Sequence, residues 1–200
     1  MRASPFFVTR AEKRLHRERP RSNLADMNRN RRPVLKLGVV DLGVESASLP
    51  NGLTLEMAVI RHPGAAAIVA IDENGRVAML RQWRHAIGDY LWEIPAGTRH
   101  ADEDARACAE RELREEAGLD ASEWRRMGAI VTIPSFCDER IEIFLARGLS
   151  ISAQRHDPDE VISVVRLPFG ETLEMIHDGR IVDAKTIIGL YRAQTFLQLS

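Results

Sequence analysis

The chain has 200 residues, room for one domain with or without an appendage. Its hydrophobic share of 44% and charged share of 28% are those of an ordinary globular protein, and it has no apolar run long enough for a transmembrane helix. The net charge of -1 hides a split: residues 1–33 hold ten Lys/Arg and three Asp/Glu (+7), and residues 34–200 hold eighteen and twenty-six (-8), an acidic body that argues against general nucleic-acid binding.

Residues 1–33 read as a basic, disordered N-terminal extension, with Met27 as an alternative start. This segment lacks the apolar core of a signal peptide, and Glu12 and Glu18 are out of place in a transit peptide. From residue 34 the chain becomes strand-like. Val34–Val44 and Leu53–Ile60 flank Asn51-Gly52, a strong hairpin signal, so residues 34–61 are expected to form an N-terminal antiparallel hairpin. His62-Pro63-Gly64 breaks the run, and residues 62–200 are expected to form the main domain. Strands are predicted at Ala65–Ile71, Val77–Gln82 and Leu91–Ile94, followed by a Pro95-Ala96-Gly97 loop. A helix follows from about Glu103 to Ala117, with acidic residues at its start and Gly118 where a left-handed cap belongs. Further strands are predicted at Arg126–Ile133, Glu142–Arg147 and Glu160–Leu167, and further helices at Gly170–Asp178 and Ala184–Leu197. This mixture predicts an α/β layered domain with a mixed sheet. The two cysteines, Cys108 and Cys137, sit in no metal-ligand spacing, which suits a reduced, cytoplasmic protein.

The helix over 103–117 carries the chemistry. At about 100° per residue, Ala105, Ala109, Glu112 and Glu116 share one sector, with Cys108 and Glu115 beside it. That face begins small and apolar and ends in three carboxylates, whereas Arg106, Glu110 and Arg114 point to solvent. Like charges four residues apart repel. A divalent cation removes the repulsion, and oxygen-only donors suit Mg²⁺ or Mn²⁺. On the helix alone, a run of solvated glutamates partnered by Arg111 remains the alternative.

The wider spacing bears on that choice. Gly97, five residues, Glu103, seven residues, then Arg111-Glu112-Leu113-Arg114-Glu115-Glu116-Ala117-Gly118-Leu119 reproduces the Nudix box without a substitution. Chance would supply it on the order of once in a million chains. The chain resembles the Nudix hydrolase family from about residue 34 to 198. The resemblance implies an α/β/α sandwich and Mg²⁺-dependent hydrolysis of a diphosphate. It implies metal ligation by Glu112, Glu115 and Glu116 with the Ala96 carbonyl. Arg111 would hold the glutamates, Glu103 would support them, and Gly97 and Gly118 would shape the loops.

Within the family, His62-Pro63-Gly64, Arg81-Gln82-Trp83-Arg84, Trp92-Glu93-Ile94-Pro95-Ala96-Gly97 and Pro134 look like the ADP-ribose pyrophosphatase branch. That branch implies Glu139 as general base on the loop 134–140, with Asp138 as competitor for the role. It implies Arg84, Glu93 and Pro134 at the substrate, although Glu93 on an alternating strand reads equally as the buried partner of an arginine. It also implies a homodimer that shares its N-terminal segment. One departure stands out. Members of the branch stack adenine on N-terminal aromatics, and residues 34–60 contain none, while Phe6 and Phe7 lie far upstream. The expected reaction is therefore cleavage of ADP-ribose or a related nucleoside-diphosphate sugar. GDP-mannose, dinucleotides and nucleoside triphosphates remain alternatives, and a non-catalytic ADP-ribose sensor is disfavoured by the intact box.

Overall fold

Ala65–Ala70 form a strand, β4, in which every side chain is buried. Successive side chains point to opposite faces. Ala65, Ala67 and Val69 therefore enter one apolar cluster, and Ala66, Ile68 and Ala70 enter another. A strand buried on both faces must lie inside a sandwich. The computed structural model describes residues 31–153 and 161–198, and it shows that sandwich.

Before β4 the chain forms β1 (Arg31–Leu37), β2 (Val40–Ser48) and β3 (Thr54–Arg61). These make a three-stranded antiparallel sheet in the order β1-β2-β3. The Asn51-Gly52 turn falls where the sequence predicts it: the Leu53 N–H donates to Asn51 Oδ1 at 3.0 Å, and Gly52 takes φ +87°. The single strand expected over 34–44 is two strands. Leu37 pairs with Val40 across a tight turn in which Gly38 has φ +54°, a conformation that glycine adopts without a Cβ penalty. The unbroken run of Val and Leu on either side masks that turn in the sequence.

After β4 come β5 (Arg76–Arg84), β6 (Asp89–Glu93), β7 (Ala96–Thr98), α1 (Ala105–Ala117), β8 (Leu119–Val131), β9 (Arg140–Ile151), β10 (Ile162–Pro168), α2 (Phe169–His177) and α3 (Ala184–Gln198). One sheet has the order β7-β4-β9-β8 and is mixed, because β4 and β9 run parallel while the other pairs are antiparallel. A second sheet has the order β10-β5-β6. Cys108, Ala109 and Leu113 of α1 pack on one face; Met175 of α2 with Leu190 and Ala193 of α3 pack on the other. The result is the α/β/α arrangement that the family resemblance implies. β7 was expected as loop and is a short strand paired with β4. β8 starts seven residues earlier than expected, at Leu119. Its polar first half carries no apolar pattern and is held by pairing with β9.

The ends of α1 follow from local chemistry. Asp104 Oδ1 accepts from the N–H groups of Arg106 and Ala107, both at 2.8 Å, and Gly118 closes the helix at φ 64°. α3 lies close to the sheet: a Cβ on Gly189 would come within 2.8 Å of Ile94 Cδ1 and 3.2 Å of Val69 Cγ2. Among the described residues no helix is long and apolar enough to cross a membrane. Phe6, Phe7, most of the basic extension and Glu160 lie outside the described residues.

Leu190 is fully buried between α3 and the sheet. Leu190→Ala is expected to cost about 2–5 kcal/mol of stability, measured by urea unfolding. A loss well below that range would show that α3 does not pack as described.

Candidate active site

α1 enters a cavity of about 1540 Å³ with its second half, and Glu112, Glu115 and Glu116 all line it. Glu112 and Glu116 are buried, at 7% and 2% exposure, whereas the Glu115 side chain is 40% exposed. Three carboxylates in one sector of a helix need a counter-charge, and Arg111 supplies it. Its Nη1 donates to Glu112 Oε1 at 2.6 Å and to Glu115 Oε2 at 2.9 Å. Its Nε and Nη2 grip both oxygens of Glu103 at 2.9 and 3.0 Å, and Nη2 also reaches the Thr98 carbonyl at 3.0 Å. The hydrogen bonds that Arg111 donates to Glu103 raise the Arg111 pKa further above its already high value. In return, Arg111 pulls the Glu103 carboxyl from 4.5 down to about 2.

Backbone holds the third glutamate: the Ala96 N–H donates to Glu116 Oε2 at 2.8 Å. This is the residue whose carbonyl the sequence resemblance names as a metal ligand, and its N–H is what holds Glu116. Gly97 is required by space, since a Cβ there would lie 1.9 Å from Glu112 Oε1. Cys108 Sγ sits behind Arg111 and donates to the Gly97 carbonyl at 3.4 Å. Burial, aided by the charge of Glu112, pushes its thiol up to about 12 and keeps it protonated at neutral pH.

The opposite wall is cationic. Arg84 clasps Glu93 with Nε and Nη2, each at 2.7 Å, and Lys185 Nζ reaches the same carboxylate and also Asp183 at 3.1 Å. Burial disfavours the Glu93 charge, but these two cations hold its pKa below the ordinary range. Arg84 and Lys185 line the cavity, and Glu93, 1% exposed, lies behind them as the buried arginine partner. Gln82 also lines the cavity; it is 5% exposed, and its Oε1 has no hydrogen-bond partner.

The loop between β8 and β9 brings Asp138 and Glu139 to the rim. Both oxygens of Asp138 are occupied, by Arg61 Nη1 at 2.9 Å and the His62 N–H at 2.8 Å. Glu139 Oε2 accepts from Thr132 Oγ1 at 2.6 Å. Pro134 lies in the exposed turn of that loop and does not line the cavity. Trp83 and Trp92 do not line it either: Trp83 packs edge-on against Tyr90 at 5.3 Å, and Arg81 lies over both Tyr90 and Trp92.

Glu112, Glu115, Glu116, Arg111, Ala96, Arg84 and Glu139 thus converge, and Glu93 and Pro134 stand back from the cavity. Sequence reasoning missed Lys185, Gln82, His62 and Thr132. Lys185 is 92 residues from Glu93, a separation with no local signature. Among the described residues, no three His, Cys, Asp or Glu side chains are gathered as a ready metal cage. The donor set itself fits a hard divalent cation, being oxygen-only, partly buried and open to a large cavity.

The family profile described as NUDIX domain matches residues 61–188. The chain is 38% identical over 158 residues to a methanol dehydrogenase activator of Bacillus methanolicus, covering 78% of this chain and 85% of that protein. It is 34% identical over 158 residues to an ADP-ribose pyrophosphatase of Bacillus subtilis (strain 168), with the same coverage. In fold it resembles a crystal structure of an ADP compounds hydrolase, with a TM-score of 0.73 over 84% of this chain and 92% of that one at 19% identity.

Because Arg111 depresses the folded-state pKa of Glu103, their pairing stabilises the fold fully above about 4.5, and the contribution fades as pH falls toward about 2. Glu103→Gln is therefore expected to be less stable than wild type at pH 7. Thermal melts at a series of pH values should show that gap closing below about 4.5. A gap that is constant with pH would rule the pairing out as its source.

Proposed function

The chain belongs to the Nudix family and is a Nudix pyrophosphohydrolase, and on that premise we propose that it hydrolyses the diphosphate of ADP-ribose or a related nucleoside-diphosphate sugar, with Mg²⁺, to a nucleoside monophosphate and a sugar phosphate. One observation carries the proposal. A glutamate cluster organised by Arg111 and the two cations Arg84 and Lys185 line one and the same cavity. The separation of charge suits a diphosphate held between a cation on one side and arginine and lysine on the other.

Glu112, Glu115 and Glu116 would hold the cation. When bound, it neutralises the diphosphate and lowers the pKa of a coordinated water. The remaining roles fall to the protein's own groups. Arg111 keeps the carboxylates apart and aimed. Arg84 and Lys185 meet phosphate oxygens while Glu93 fixes their positions from behind. Gln82 Oε1, buried and without a partner, offers an acceptor to a sugar hydroxyl. Glu139 takes the proton from the attacking water; Asp138 is less suited, because both its oxygens are already bonded.

A homodimer belongs to the same reading. Val34, Leu35, Leu37, Val39 and Val40 are exposed large hydrophobics on the N-terminal sheet, and Lys36, Gly38 and Val39 also edge the cavity. A second copy covering that sheet would border the site. Both cysteines are free, which agrees with a cytoplasmic setting.

The test is incubation with Mg²⁺ and a panel of ADP-ribose, GDP-mannose, dinucleotides and nucleoside triphosphates, with products identified. AMP and ribose 5-phosphate are the expected products, and cleavage of triphosphates alone would reject the substrate assignment. Glu116→Gln is expected to lower turnover by about 10²-fold or more with the fold retained, and a near-wild-type rate would remove Glu116 from the metal set. For the dimer, light scattering should report twice the chain mass, and Leu37→Glu should shift it toward the monomer. A wild-type monomer at working concentration would end that part of the reading.

A further inference from the structure

Two consecutive residues at the end of β3 clamp two consecutive residues of the β8–β9 loop. Arg61 stands between two carboxylates. Its Nε and Nη2 donate to Glu45 Oε1 at 2.8 Å and Oε2 at 2.5 Å, and its Nη1 donates to Asp138 Oδ2 at 2.9 Å. The His62 N–H takes the other Asp138 oxygen at 2.8 Å. Main chain reinforces the contact: the Ile60 N–H donates to the Phe136 carbonyl at 2.7 Å, and the Asp138 N–H donates to the Ile60 carbonyl at 3.3 Å.

The His62 ring then faces the next loop residue, with Nε2 3.5 Å from Glu139 Oε1. Nδ1 accepts from the Gly64 N–H at 3.0 Å. A neutral imidazole carries one proton, so this acceptor role places it on Nε2, toward Glu139. Thr132 holds the other Glu139 oxygen. Four lone-pair directions on a carboxylate leave room for a water beside these two partners.

We propose that Arg61 and His62 are positioning residues for Glu139: Arg61 anchors its loop through Asp138, and His62 aims its carboxylate into the cavity. The proposal rests on the reading of Glu139 as general base. Arg61 lines the cavity, yet all three of its nitrogens already donate to Glu45 or Asp138, whose two carboxylates offset its charge toward a phosphate. The same chain of contacts ties the base to β2, and so to the N-terminal sheet, through Glu45.

The experiment measures kcat and KM for ADP-ribose with Mg²⁺ in His62→Ala, His62→Gln and Arg61→Met, each alone and combined with Glu139→Gln. His62→Ala and Arg61→Met are expected to lower kcat about 10–100-fold with KM within about twofold. Neither should lower it further in the Glu139→Gln background, because the group they position is then gone. His62→Gln, which keeps a donor at similar reach, should recover part of the rate. Arg61→Met exposes Glu45 to the loss of its main partner, so Arg61→Met/Glu45→Gln serves as its replacement if the melting temperature falls. Multiplicative losses in the combined variants would overturn the proposal, as would a rise in KM at unchanged kcat. Wild-type kcat in His62→Ala and Arg61→Met beside a crippled Glu139→Gln would overturn the positioning roles alone. An active Glu139→Gln would remove the base, and the positioning roles with it.

Discussion

Three glutamates crowded into one sector of a helix repel one another, and two of them are buried here, where repulsion is least screened. Everything else at the site depends on how that repulsion is met. A single guanidinium meets much of it, with donors in a planar fork that touch Glu112 and Glu115 of the three, and Glu103 besides, while the Ala96 N–H donates to Glu116. A lysine would offer one point charge and could not span Glu103, Glu112 and Glu115. The fork also reaches the Thr98 carbonyl and so ties α1 to the β7 segment that supplies Ala96 and Gly97. The helix, its preceding loop and the carboxylate face are therefore one electrostatic unit.

The opposite wall repeats this design with the signs reversed. There a buried carboxylate, Glu93, gathers Arg84 from β5 and Lys185 from α3. A buried charge with two partners fixes both more firmly than two exposed pairs would, because leaving it unpaired is costly. The cavity thus lies between a cation that organises anions and an anion that organises cations. Its third side is the loop bearing Glu139, held from the N-terminal sheet.

The first of these units was legible in the sequence, and the second mostly was not. Glu112, Glu115, Glu116 and Arg111 lie within two helical turns, so helical periodicity alone places them together. Asp104 and Gly118 mark the helix ends by the same local logic. Glu93 was read both as a substrate residue and as the buried partner of an arginine, and the second alternative describes its position. Lys185 carries no local signal, since it meets the site only through the sandwich, and Gln82 stands in the Arg81-Gln82-Trp83-Arg84 motif without a role of its own. His62-Pro63-Gly64 was read as a chain breaker and as a mark of the branch; that the His62 ring accepts from the Gly64 N–H and turns toward Glu139 needs the fold to be seen. The errors in the strands share a cause. Hydrophobic patterning misses a turn inside an apolar run, as at Gly38, and a strand whose pairing does not depend on apolar side chains, as in the first half of β8.

β4 is four alanines, one isoleucine and one valine, buried on both faces. One face receives the helix that carries the glutamates, and the other receives the helix that carries Lys185 in its first turn. Small side chains on this strand keep both helices close, so β4 acts as a gauge block for the gap between the two charged walls. Thickening it with larger residues would push the walls apart while leaving every charged residue in place. The reach of the site is in this sense written in methyl groups, at positions that carry no charge.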